Sequence, residues 1–202
     1  MALLPVLAAV LAPWVGDGSV TSLSASEKAR LDAGEVLVQV ERADVPVKRF
    51  QVVGDIEAPA AEVWDAYTDF DHYEQIFDVT RCRVERREDS ALYVYSYLAL
   101  VWPIGPRWVI NETRLDRDSW RFTYKRVQGT FRKYEGELQL TELGPKRTRV
   151  RYAARIDPDF PAVPTFLLDW VQYRQFPTAI THVRDWLRRK GEGSGTGGRP
   201  KG

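Results

Sequence analysis

The stretch IEAPAAEVWDAYTDFDHYEQIF, residues 56–77, decides how the rest of the chain is read. It begins at the end of a run of alternating β-branched residues, breaks at Ala58-Pro59 and passes directly into helix formers. Pro59 suits a first helical turn, where its missing N–H costs nothing, and Val63, Ala66 and Tyr67 then fall on one stripe at helical spacing. Asp69 is positioned to cap a second short helix running through residues 73–77.

Outward from this stretch the period is that of strands. Upstream, residues 35–42 (EVLVQVER) and 47–57 (VKRFQVVGDIE) alternate, with the turn formers Asp44 and Pro46 between them. Downstream, strands are expected over 79–87, 91–101, 108–115, 120–126, 131–140 and 148–156, separated by short turn signals. Pro164 then opens a long helix reaching Arg189, with Leu167, Val171, Ile180, Val183 and Leu187 as its apolar ladder and Pro177 bending its interior. The expected fold is α+β, a curved antiparallel sheet of six to seven strands wrapped on a long C-terminal helix, with two short helices after the first core strand. A twisted sheet of that size cannot bury its concave face on itself, so a gap lined by alternate strand residues and one helix face is expected.

The ends are different. ALLPVLAAVLAPWV, residues 2–15, is shorter than the roughly 20 residues of a membrane span but fits the apolar part of a signal peptide. No Lys or Arg precedes it, and Pro13 follows Ala12 at the most obvious small-residue cleavage point. The expected organisation is a signal peptide or apolar arm over 1–24, a helix and strand extension over 25–46, the main domain over 47–190 and a disordered tail over 191–202. The extension starts with a helix over 25–33, with Ser26 as cap candidate and Gly34 as stop. Location is then periplasmic or secreted, or cytoplasmic if the arm is retained. Lys+Arg 29 against Asp+Glu 28 gives no field to attract nucleic acid.

Raw material for catalysis is sparse. There are two histidines, His72 and His182, both read as surface residues. The single cysteine, Cys82, lies among Arg81 and Arg83 and reads as a packing residue on a strand. No HxH, HExxH or CxxC pattern and no phosphate loop occurs, so neither metal nor cofactor is expected. Asp55, Glu57, Glu112, Glu135 and Glu137 are scattered over strands, mostly toward water, though one turned inward could act as a base.

The aromatic content is high, with seven Trp, nine Tyr and eight Phe. Alternation puts Trp120, Phe122 and Tyr124 on one side of a strand, Tyr134, Gly136, Leu138 and Leu140 on one side of the next, and Val150, Tyr152, Ala154 and Ile156 on one side of the last. Gly136 and Ala154 leave room between bulky neighbours. On the last helix Phe166, Trp170 and Tyr173 form a row. Tyr93, Tyr95 and Tyr97 share a face that either lines the mouth or covers the outside of an edge strand. Trp102, Ile104 and Trp108 form a bulky hairpin suited to a lid or to transient membrane contact. The ligand-binding candidates are Trp108, Phe122, Tyr124, Tyr134, Gly136, Leu138, Tyr152, Ala154, Phe166, Trp170 and Tyr173.

Three stretches carry a family resemblance: residues 56–77, VWPIGPRWVI over 101–110 and YEGELQL over 134–140. With the closing helix, they resemble the START-like (SRPBCC) superfamily, which includes polyketide cyclases and coenzyme-Q-binding proteins with the helix-grip fold. Where many relatives carry Arg-Asp in the hairpin, this chain has Arg107-Trp108. The resemblance implies non-catalytic binding of a hydrophobic small molecule (lipid, isoprenoid or quinone-like) by a monomeric carrier or sensor. Its alternatives are a polyketide cyclase/aromatase, needing a polar cluster at the pocket base, and a cytoplasmic ribosome-association-type regulator, needing a basic face of Arg81, Arg83, Arg86 and Arg87.

Overall fold

The structure, a computed structural model, describes residues 23–40, 49–77, 80–99, 105–157, 159 and 177–195. Alternation and turn chemistry place the elements in the expected order. These are α1 (Ala25–Asp32), β1 (Leu37–Val40), β2 (Arg49–Ile56), α2 (Ala60–Thr68), a 3-10 turn (Phe70–His72), α3 (Tyr73–Ile76), β3 (Thr80–Glu88), β4 (Ala91–Leu98), β5 (Arg107–Asp116), β6 (Arg121–Gly129), β7 (Lys133–Gly144), β8 (Arg147–Asp157) and α4 (Thr178–Gly195).

All strands join one antiparallel sheet of eight in the order β1-β2-β8-β7-β6-β5-β4-β3. The count exceeds the expected six to seven because β1, assigned to an extension, continues the sheet by pairing Leu37 with Val53. Helix α1 is capped by Ser24 rather than Ser26: Ser24 Oγ accepts from Glu27 N–H and the Glu27 carboxylate accepts from Ser24 N–H. Asp69 does not cap by its side chain; its carboxylate bonds His72 Nδ1 at 2.8 Å. Pro177 stands directly before α4, its carbonyl accepting from Ile180 and Thr181, and the helix runs to Gly195, past the start of the expected tail. The rest of the expected long helix lies outside the described residues.

Even-numbered residues of β2 and β8 face the helices. Phe50, Val52, Ile56, Val150 and Ala154 bury against Val63, Trp64 and Tyr67 of α2 and Ile180 and Val183 of α4. Burial of this kind stabilises by about 25 cal/mol per Å² of apolar surface. Gly54 lets α4 approach closely, since a Cβ there would stand 3.0 Å from Ile180 Cδ1. The opposite face of β2 is closed by α1 through Leu31, Leu37 and Val53. There Asp55, 5% exposed, accepts from Arg149 at 2.7 and 2.9 Å and from Arg147 at 2.6 Å, while Arg147 also reaches Asp32 on α1. Arg184 of α4 donates to the carbonyls of Asp55 and Gly34, tying α1, β2 and α4 together.

Candidate functional site

Strand register fixes which side chains share the concave face. Across β4, β5 and β6 the pairs Ser96–Val109, Val94–Asn111 and Leu92–Thr113 continue into Asn111–Arg126, Thr113–Tyr124 and Leu115–Phe122. From there Phe122–Leu138 and Tyr124–Gly136 lead to Leu138–Tyr152 and Gly136–Ala154. Seven ligand-binding candidates therefore lie on one face: Phe122, Tyr124, Tyr134, Gly136, Leu138, Tyr152 and Ala154. Phe122, Leu138 and Ala154 are buried in the core beside α2 and α4. Phe166, Trp170 and Tyr173 lie outside the described residues, as do Trp102 and Ile104.

Trp108 is a correction. Its neighbour Val109 is fully buried on the concave side, so Trp108 points to the convex side, where its ring stacks on Tyr95 at 6.1 Å. Tyr93 and Tyr95 share that outer surface, with Arg86 over Tyr93 at 3.9 Å and Arg83 over Tyr95 at 5.0 Å. The same arginines reach Glu85 and Glu88. The basic face expected of a regulator is thus partly neutralised. Gly136 is also other than expected: the space above it is taken by Tyr124, whose Oη would lie 2.5 Å from an added Cβ. The glycine seats that ring rather than a ligand.

The phenols are the chemical feature of the concave face. Tyr124 and Tyr152 share a hydroxyl–hydroxyl hydrogen bond of 2.5 Å, and Tyr124 lies 5.5 Å from Tyr134, ring centre to ring centre. Tyr73 donates to the Tyr67 carbonyl, and Tyr67 to the Ala179 carbonyl at 3.0 Å. Part of the Tyr124, Tyr134 and Tyr152 surfaces stays accessible. Yet desolvation pushes Tyr124 and Tyr134 well above the usual phenol range and Tyr152 up to about 12.

Other polar groups line the same face. Ser96, Asn111 and Thr113 are buried, at 9, 6 and 3% exposure, and Cys82 Sγ lies 3.5 Å from Ser96 Oγ. Burial pushes the Cys82 thiol up to about 11, so it is a neutral thiol near pH 7 and no nucleophile. Asp55 is the buried carboxylate among the described residues, and it lies on the convex side. Glu112, Glu135 and Glu137 likewise pair with Arg114, Lys133 and Arg121 there. His72 is exposed as expected, but His182 is half-buried, 6.3 Å from Phe77 ring to ring. Among the described residues no cluster could hold a metal ion and no helix is long and apolar enough to cross a membrane.

A cavity of about 340 Å³ opens between the 3-10 turn and β3–β5. Trp64, Phe70, Val84, Leu92 and Leu115 supply its apolar wall, and Asp69, Asp71, Arg87 and Arg117 its polar one. None of the ligand-binding candidates lines it. The signal available for it was the inward parity of Leu92 and Leu115, which continue the rows of Val94 and Thr113.

A curved antiparallel sheet enclosing an aromatic and hydroxyl-lined face under a C-terminal helix defines a START-like protein. The chain belongs to the family described as polyketide cyclase / dehydrase and lipid transport, which matches residues 56–184. No curated protein matches its sequence. Similar solved structures include human StAR-related lipid transfer protein 5, at 12% identity and TM-score 0.64 over 78% of this chain and 84% of that one. The Zhui aromatase/cyclase from a Streptomyces species is 16% identical with TM-score 0.61 over 71 and 95% of the two chains. A START superfamily protein from Mycobacterium smegmatis is 14% identical with TM-score 0.60 over 77 and 99%.

Proposed function

We propose that the chain binds a hydrophobic small molecule, of lipid, isoprenoid or quinone type, against its concave face as a carrier or sensor. The observation that carries this is the set of Tyr124, Tyr134 and Tyr152, half-buried on the concave face beside the apolar rows of β6–β8, with Tyr124 and Tyr152 joined hydroxyl to hydroxyl. Such a wall gives apolar contact area and a few oriented hydrogen bonds, the composition of small-molecule sites. Native mass spectrometry followed by denaturing extraction tests it. A stoichiometric apolar molecule is expected; an empty protein that takes up no lipid refutes the reading.

A second reading, an aromatase/cyclase-type enzyme, is favoured by the polar groups on the concave face, since ring closure needs a proton donor near the reacting carbonyl. The phenols can donate, but their raised pKa values leave them unable to accept a proton near neutral pH. Export to the periplasm or beyond is proposed from the apolar run at 2–15, and an intact N-terminus on protein from the native host would remove it.

A further inference from the structure

Two polar atoms on the concave face are buried and bonded to nothing: Asn111 Oδ1 and Arg126 Nε. They belong to one place. Asn111 and Arg126 are register partners on β5 and β6, so their side chains emerge side by side, Cβ atoms about 5 Å apart. The register shifts beside them, Ile110 pairing with Gln128, which leaves Val127 as an extra residue bulged outward and 49% exposed. Bulges re-aim neighbouring side chains and gather at functional sites. Arg126 follows Phe122 and Tyr124 on the inward row and is held from one arm only, Nη2 donating to the Gly129 carbonyl at 3.2 Å. Among the described residues no carboxylate pairs with it, unlike Arg121, Arg147 and Arg149. A guanidinium stays charged at any physiological pH, and a half-buried one whose Nε–H is shut away without an acceptor leaves that hydrogen bond unmade at a cost.

We infer that Asn111 and Arg126 form the head-group subsite of the hydrophobic-ligand site, and that the ligand is an apolar acid bearing one carboxyl group. This rests on the binding reading above. One carboxyl oxygen accepts from Arg126 Nε–H in a charge-assisted bond. The other meets the Asn111 amide, donating to Oδ1 if the acid keeps its proton, or accepting from Nδ2 after a half-turn of the amide if it does not. The apolar body then lies along the Tyr124, Tyr134 and Tyr152 wall.

The test uses the full chain, stripped of bound lipid, titrated by tryptophan fluorescence with hexadecanoic acid, its methyl ester, hexadecanol and 2-naphthoic acid. The expected result is that hexadecanoic or naphthoic acid binds about tenfold or more tighter than ester and alcohol, the effect of one hydrogen bond to a charged group. Which acid binds separates a straight-chain from an aromatic source. Arg126→Met should bring acid binding down to the level of ester and alcohol, and Asn111→Leu should reduce the preference. Equal binding of acid and ester by the unaltered protein overturns the subsite and leaves hydrophobic binding standing. Absence of binding by all four overturns both.

Discussion

Replacing Gly136 with alanine should destabilise the protein by about 2–3 kcal/mol, although it adds one methyl group to a strand. The new Cβ would stand 2.5 Å from Tyr124 Oη, 2.7 Å from Tyr124 Cζ and 2.6 Å from the Ala153 carbonyl oxygen. Ala153 is held in the β7–β8 ladder opposite Glu137, so the phenol must yield. Tilting it away breaks the 2.5 Å bond to Tyr152. Overpacking costs about 1–3 kcal/mol and the lost hydrogen bond about 1 kcal/mol. The lower chain entropy of alanine in the unfolded state returns about 0.4–1 kcal/mol. In urea denaturation the midpoint should fall with an unchanged slope, and the Tm should drop by about 4–12 °C for a chain of this size. In a Tyr124→Val background the ring is gone and only the Ala153 contact remains, so the same substitution should cost at least about 1 kcal/mol less. A Gly136→Ala variant within about 0.5 kcal/mol of the parent, or an equal cost in both backgrounds, would refute the reasoning.

Asp55→Asn should lower stability by about 3–5 kcal/mol in the same assay, because Arg147 and Arg149 lose the buried charge they share; a change below about 1 kcal/mol counts against the clamp. Cys82 should react slowly with a thiol-disulfide reagent near pH 8 and faster as the pH approaches about 11, with denaturant removing the protection. Fast stoichiometric labelling of the native protein near neutrality would contradict its placement. The buried phenols have folded pKa values above the unfolded value of about 10. Their contribution is therefore complete below pH 10 and lost as pH rises toward about 12, where Tyr152 ionises in the fold. Phenolate absorbance and circular dichroism should change together there, and uniform titration of all nine tyrosines near pH 10 in a folded protein would contradict it.

The strands were legible because each is bounded by residues with turn chemistry and most carry a clear period of two. Which row faced inward was less so, and β5 explains why. Its outward row holds Trp108 and Ile110, while its inward row holds Asn111 and Thr113, so hydrophobicity alone points the wrong way. The outer row is aromatic because it stacks with Tyr95 and lies beside arginines that cover Tyr93 and Tyr95. The inner row is polar where it meets the concavity. Arg126 was missed for a related reason: a charged residue at the end of an expected strand reads as solvated, and the bulge at Val127 has no glycine to announce it. The missing side chain of Gly136 marks a place needing room, but for a ring of the protein rather than for a ligand. The occupant, Tyr124, is a cross-strand partner that sequence spacing does not identify.

The two faces of the sheet divide the chemistry between them. Paired ions, among them Arg121–Glu137, Arg49–Glu137 and the Asp55 cluster, occupy the convex side. Along β4–β8 the described concave side carries neutral donors and Arg126, while Asp69, Asp71, Arg87 and Arg117 line the cavity at its edge. Raised pKa values hold these phenols and this thiol in their protonated forms, so near neutral pH they donate protons rather than take them up. A carrier needs contacts firm enough to orient a ligand and weak enough to release it. Neutral hydroxyls beside one directional cation meet that condition, because they hold a polar head without committing to a covalent or proton-transfer step. On the proposed binding reading, exchange of a bound acid for a second one at equilibrium, with both recovered unchanged, is the expected behaviour.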